Sequence, residues 1–311
     1  MTHQPTPGTA PFDHRMTTLR TDDDFLSAAL PFLTEALTTP AEPPPVAIAA
    51  PEKLTLLRDT LGTDAKNITL IPHTAWYTGS AANAIAQAAA HLATHAAPGG
   101  RIHLLMEPVW NGRPGRSPRE TAEWIRYEAL ANLLFAPFAT TALCVYDTRT
   151  AGSAVVEAAR RTHPDTGVYE DPLRIAAELD AVPLPPPPAD AHPLTHPDAD
   201  AVGQQARARG LPPADAELFT ESVTAAAADL APITGIRFWG KAPACVCELR
   251  TARRVDDPLA GFVPPPTTEL HPDQGLWFTR QVCAYVDIRD IHDIRDIRDG
   301  GEGSTVRIQY A

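Results

Sequence analysis

Two periodicities alternate along the first half of the chain. Phe25, Leu26, Ala29, Leu30, Phe32, Leu33 and Leu37 fall at helical spacing behind Asp22, Asp23 and Asp24, which suit a helix N-terminus. Pro31 interrupts that helix and Pro43, Pro44 and Pro45 end it. A short apolar strand follows at 46–50, then helix at 52–61, strand at 67–71, helix at 80–97, strand at 101–106, helix at 118–135 and strand at 141–146. Strands that alternate with helices of this length predict crossover connections and a mostly parallel sheet, a three-layer α/β sandwich over 19–181. Residues 1–18 are polar and read as a flexible tail.

The second half has a different rhythm. Leu184-Pro185-Pro186-Pro187-Pro188 opens an extended Pro-rich linker over 182–200. Beyond it, over 201–311, helices at 199–209 and 215–230 lead to strands at 235–239 and 244–250. A Pro-rich loop at 255–266, a helix at 276–286 and a strand at 305–310 complete the chain. This is the pattern of a two-layer α/β sandwich. Residues 287–299 repeat Asp-Ile-Arg almost without variation. A period of three gives one apolar face neither to a strand nor to a helix, so the repeat reads as an expanded hairpin tip.

Composition narrows the function. The formal net charge of −12 disfavours direct nucleic-acid binding and acidic membrane surfaces. No stretch approaches the roughly 20 apolar residues of a membrane span, and no signal-peptide pattern is present, so a cytoplasmic protein is expected. The 4 cysteines, Cys144, Cys245, Cys247 and Cys283, are too few and too uneven for a disulfide scaffold. Cys245 and Cys247 share a strand face and read as core. His91 and His95, four apart on a helix, lack the Glu of a His-Glu-x-x-His motif and read as a solvated face. No metal or other cofactor is expected. No Gly-rich loop ends in Gly-Lys-Ser/Thr, so a P-loop is absent.

Residues after strand ends are where open α/β sheets bind ligands. His73 follows one strand, Glu107 and Trp110 another, and Tyr146 and Asp147 a third, with Arg116 in the loop that Glu107 opens. With Trp76, Tyr77 and Tyr127 they form a candidate ligand-binding set of carboxylates, a guanidinium, an imidazole and aromatic walls. The bland alternative is a structural ion pair between Glu107 and Arg116, with Trp110 as core.

Several segments carry a family resemblance: residues 23–33 and 52–61, Met106-Glu107-Pro108-Val109-Trp110, Gly115-Arg116-Ser117-Pro118, Tyr127-Glu128-Ala129-Leu130 and Cys144-Val145-Tyr146-Asp147. They resemble the MEDS sensory domain of actinobacterial regulators, which implies a small-molecule ligand. The chain departs from that family at Gly79-Ser80-Ala81-Ala82, where relatives carry a Gly-Arg-Asn-Pro turn, and at Tyr127, where they carry His.

In the second half, Gln274-Gly275-Leu276-Trp277, residues 245–259 and Glu221 resemble the ATPase domain shared by histidine kinases and anti-sigma-factor serine kinases. The resemblance implies an Asn for Mg²⁺ four residues after Glu221, an adenine-binding Asp at the end of the second strand, and a Gly nearby. This chain has Ala225, Thr251 and Arg253 there, and a methyl group cannot ligate Mg²⁺. Gly275 alone remains. The implied protein is a non-catalytic, ligand-sensing regulator with a pseudo-ATPase output domain. It would keep surfaces for a homodimer or for a sigma or anti-sigma-type partner. The alternative is a regulator recruited as a small-molecule biosynthetic enzyme, with His73, Glu107, Tyr127 and Glu128 as acid–base candidates.

Overall fold

In a computed structural model the described residues are 12–39, 42–96, 100–108, 118–265, 269–290 and 303–310, and they divide into two compact units, Met1–Ala176 and Ala177–Ala311. The N-terminal unit is built on a five-stranded sheet in the order β1-β5-β4-β2-β3, with β1 at Phe12–Leu19, β2 at Val46–Ala49, β3 at Thr69–Pro72, β4 at Ile102–Met106 and β5 at Thr140–Asp147. Every pairing in it is parallel.

Burial on both faces explains why β2 and β4 read as continuous apolar runs. Ala47, Ala49, Leu105 and Val145 pack with Phe25, Leu33, Leu54 and Leu57 from α1 (Asp22–Thr38) and α2 (Pro51–Leu61). The alternate positions Leu104, Met106, Ala142 and Cys144 point the other way. There they share a pocket with Ala88 and Leu92 of α4 (Ala81–His95) and with Tyr127, Glu128 and Ala131 of α5 (Pro118–Leu134). A short α3 (His73–Trp76) follows β3 directly. Thr21 caps α1 in a reciprocal box with Asp24, as the acidic start required. Pro31 lies inside α1 without ending it.

The sheet corrects one expectation outright. Residues 12–19 are not tail: they pair along their whole length with β5. An edge strand of a parallel sheet tolerates the polar sequence Asp13-His14-Arg15 because each buried side chain finds a partner, Asp13 on Arg15 and His14 on Asn132. Three further helices were not anticipated from periodicity: α6 (Thr148–Ala151), α7 (Ser153–Thr162) and α8 (Pro172–Asp180). The separation into units falls within α8, earlier than the Pro-rich stretch suggested.

The C-terminal unit carries a second five-stranded sheet, order β6-β7-β8-β10-β9, antiparallel throughout. Its strands are β6 (His192–Leu194), β7 (Ile233–Trp239), β8 (Val246–Thr251), β9 (Tyr285–Asp290) and β10 (Ser304–Gln309). α9 (Ala199–Ala208), α10 (Pro213–Asp229) and α11 (Leu276–Val282) bury Val202, Phe219, Val223 and Leu276 against Ile236, Phe238, Leu249, Val306 and Ile308. That is a two-layer packing. Cys245, Cys247 and Cys283 are free thiols in this core. Two expectations fail here. The Pro-rich stretch contributes β6, and the helix read to 286 stops at Val282, so that the first Asp-Ile-Arg unit, Asp287-Ile288-Arg289, lies on β9. The later repeat units lie outside the described residues.

Candidate functional site

The strand order places β2 between β3 and β4, so the chain leaves β2 for one neighbour and later returns on the other side. Such a reversal opens a crevice at the carboxyl ends of the strands. Glu107, immediately after β4, stands there. Its carboxylate accepts the Ala50 backbone N–H at 2.9 Å and a hydrogen bond from Lys53 in the first turn of α2. Lys53 also donates to Asp147 at the end of β5, 2.9 Å away. Asp147 in turn caps α6 through the Arg149 N–H at 2.9 Å and takes the Arg149 guanidinium at 2.6 Å. Arg149 hydrogen bonds, then Lys53, hold the Asp147 carboxyl well below the ordinary carboxylate range.

Glu107, Lys53 and Asp147 are all buried, so this network clamps three strand ends together with its charges mutually satisfied. Glu107 has a cation in Lys53; Arg116, which the sequence offered as its partner, and Trp110 lie outside the described residues. Lys53 was missed because it falls in an amphipathic helix, where lysines are ordinary.

The remaining candidates do not converge on that point. Trp76 is buried, with its ring against His91 at 5.4 Å between centroids. Tyr77, Trp124 and Tyr127 form an edge-to-face chain with steps of 5.6 Å. His73 is half-buried and its Nδ1 has no hydrogen-bond partner among the described residues. His95 is exposed and stacks on His91 at 4.1 Å. The proposed acid–base set therefore splits: Glu107 belongs to Lys53, whereas Glu128 faces two histidines that sequence reading passed over.

Those histidines, His14 on β1 and His163 just after α7, are buried with Glu128 and Cys144. His14 Nε2 lies 3.4 Å from Cys144 Sγ and 3.7 Å from Glu128 Oε2, and His163 Nε2 lies 4.0 Å from the same oxygen. The four potential ligand atoms are all within 4.8 Å of one another. Tyr146 presents its ring edge-on to His163 at 5.8 Å.

Backbone and amide groups fix both imidazoles from behind. Asn132 spends its NH₂ on the carbonyls of Glu128, Ala129 and Thr162, which turns its oxygen to His14 Nδ1 at 3.2 Å. The Ala159 carbonyl accepts from His163 Nδ1 at 2.7 Å. Each Nδ1 therefore carries the proton, and each Nε2 turns a lone pair toward Glu128. Burial lowers the His14 pKa to about 4 and pushes that of His163 well below its ordinary value, so both rings are neutral near pH 7. Burial, with Glu128 nearby, pushes the Cys144 thiol and the Tyr146 phenol up. No spacing rule could reveal this set, because its members come from β1, α5, β5 and the end of α7.

Beside His14, Glu128 and Cys144 lies a small cavity of about 20 Å³, walled by Leu92, Leu104, Met106, Ala131 and Phe135. One polar end meets an otherwise apolar wall. The space is close to the minimum for a single water and far below that of a drug-sized ligand site.

In the C-terminal unit the positions at which the resemblance would place a nucleotide make structural contacts. Ala225 is buried in α10, and Glu221 lies half-buried one turn before it. Thr251 donates to the Leu230 carbonyl at 2.6 Å and accepts the Arg253 N–H at 2.9 Å. Arg253 itself is exposed. Gly275 has φ +58°, and a Cβ there would meet Asp229 Oδ2 at 2.7 Å; the same carboxylate accepts the Leu276 N–H at 3.2 Å.

Among the described residues no helix is long and apolar enough to cross a membrane. No curated protein and no solved structure matches the chain. Residues 13–164, which span β1 to the end of α7 and hold both polar clusters, match the family model described as MEDS, the methanogen/methylotroph DcmR sensory domain. The N-terminal unit is a MEDS sensory domain, followed by a separate C-terminal domain.

Proposed function

We propose that the protein is a non-catalytic regulator whose MEDS domain receives a small molecule and whose C-terminal domain is a nucleotide-free output module. The observation that carries the first part is the cavity between the sheet and α4/α5, with apolar walls and a polar end at His14, Glu128 and Cys144. The cavity as it stands holds about one water, so a ligand has to open it; its apolar walls and single polar end suit a short-chain organic molecule with one polar atom. It does not suit a phosphorylated metabolite, because the strand-end crevice already holds the carboxylates of Glu107 and Asp147 against Lys53. The aromatic chain Tyr77–Trp124–Tyr127 ends at Tyr127, which lines the cavity, and gives ligand binding an optical reporter.

Three features support the second part. The order of helices and strands read from the sequence resembles that of histidine-kinase-type ATPase domains. Ala225 offers a methyl where Mg²⁺ needs oxygen. Asp229 sets a negative charge against Gly275 and the start of α11, where a phosphate would have to approach. A domain of this kind transmits by packing, against a second copy or against a sigma or anti-sigma-type protein.

Thermal unfolding of the full chain tests the proposal, because a ligand that binds only the folded state must raise its stability. A panel of short-chain alcohols and ketones should include compounds that raise the midpoint in a dose-dependent way. That response should vanish in Ala131→Phe, which fills the cavity. MgATP should leave the midpoint unchanged. A rise of several degrees with MgATP overturns the output reading, and a panel with no stabilising member overturns the ligand reading.

A further inference from the structure

We propose that His14, Glu128, Cys144 and His163 bind one divalent transition-metal ion of the zinc class. The geometry carries this. A tetrahedral centre with bonds of about 2.0–2.3 Å has ligand–ligand edges of about 3.3–3.8 Å. The separations of 3.4 Å and 3.7 Å already fall in that range, and the 4.0 Å pair and the others, all within 4.8 Å, reach it by contractions of at most about 1 Å.

Ligand chemistry agrees. Two imidazole nitrogens, a thiolate sulfur and a carboxylate oxygen suit a borderline-soft ion and are a poor set for Mg²⁺ or Ca²⁺. Charge agrees as well. A dication with one thiolate, one carboxylate and two neutral imidazoles is neutral overall, which a fully buried site requires. On binding, the Cys144 S–H bond breaks, its electron pair becomes the sulfur–metal bond, and the proton leaves to solvent.

The supporting hydrogen bonds are those of a metal site. Each histidine donates its Nδ1 proton to an oxygen behind it, Asn132 Oδ1 for one and the Ala159 carbonyl for the other, and so presents Nε2 inward. His163 Nε2 is buried and makes no hydrogen bond among the described residues, an expensive arrangement for a ring that serves only packing. The inference does not depend on the ligand reading above, since it needs only these side chains and no organic molecule.

The test uses the full chain freed of metal by a chelator and then titrated with Co²⁺ or with Zn²⁺ alone. Expected are one Co²⁺ per chain, intense visible bands of a tetrahedral centre and a thiolate-to-cobalt charge-transfer band, all bleached by Zn²⁺. Cys144→Ser should lose the charge-transfer band, and His163→Gln should weaken Zn²⁺ binding by about tenfold or more. His91→Gln, outside the cluster, should change neither. X-ray absorption at the zinc edge of the unmutated chain should show one sulfur among nitrogen and oxygen ligands, a readout that survives even if a variant misfolds. Absence of stoichiometric binding, a sulfur-free shell, or a charge-transfer band kept in Cys144→Ser overturns the proposal.

Discussion

Both units bury polar side chains within a sheet, but they complete the hydrogen bonding differently. In the C-terminal sheet, Arg237, Glu248, Arg307 and Asp287 face one another across β7, β8, β10 and β9, alternating in sign. Buried Glu248 and Arg307 meet at 2.5 Å, and the guanidinium also lies over the Trp239 ring at 5.0 Å. Thr251 and Asp229 likewise spend their oxygens on nearby backbone groups. In the N-terminal sheet, His14, His163, Glu128 and Cys144 turn toward a common centre instead. Buried charges paired with one another, as at Glu248 and Arg307, build a scaffold, whereas buried ligand atoms that converge from four elements are the arrangement a bound ion would use.

The largest effect should come from breaking the scaffold side of that contrast. Glu248→Ala leaves Arg307 charged and buried without its partner, at a cost of about 3–5 kcal/mol. Replacing both, as Glu248→Leu with Arg307→Met, should recover most of the loss. Glu128→Gln in the metal-free chain should cost less, about 1–2 kcal/mol, because an amide keeps an oxygen for hydrogen bonding and the two histidines it faces are neutral. Denaturant unfolding measures all three. Equal losses for Glu248→Ala and Glu128→Gln would erase the distinction.

The same contrast explains how much the sequence could disclose. Strands β2, β4 and β5 were legible because sandwiching between helix layers keeps both of their faces apolar. β1 was hidden because its Asp13, His14 and Arg15 are satisfied by one another or by α5, partners that local pattern does not register. Glu107 and Asp147 were visible as polar residues after strand ends, but Lys53, which joins them, looked like any helix lysine. Cys144 drew attention as one of four cysteines and within a family segment, Glu128 as an acid–base candidate, and His14 and His163 drew none. A site assembled from four elements leaves no spacing signal, whereas the alternation of β7 and β8 is local and survives in sequence. The helix read through 286 failed because Tyr285 and Val286 are apolar and suit either state; pairing with β10 decides for strand.

Acid should separate the two kinds of N-terminal polarity. Asp147 titrates below its ordinary range in the folded chain because Arg149 and Lys53 hold it ionised. Its unfolded value is about 3.9. The unfolded state therefore takes up the proton first as pH falls. Asp147 contributes stability that is fully present above about pH 5 and is lost progressively below about pH 4. Midpoints measured from neutral pH to about pH 3 should fall, and Asp147→Asn should be less stable at neutral pH with a shallower acid slope. A variant that retains the wild-type slope would show that Lys53 and Arg149 do not stabilise the strand ends through this carboxylate.

The smallest expected effect tests the other unit. Arg253 is exposed, and its described hydrogen bond uses only its backbone N–H. Arg253→Ala should therefore change stability by no more than about 0.5 kcal/mol. On the reading proposed above it should also leave the chain indifferent to MgATP, since Ala225 offers no oxygen for Mg²⁺. The informative failure is specific. If Arg253→Ala acquires a MgATP-dependent rise in the unfolding midpoint, the arginine was masking a nucleotide pocket. The C-terminal sheet would then be a closed site, and the contrast between a self-satisfied scaffold and an open cluster would have to be drawn inside one unit instead of between two.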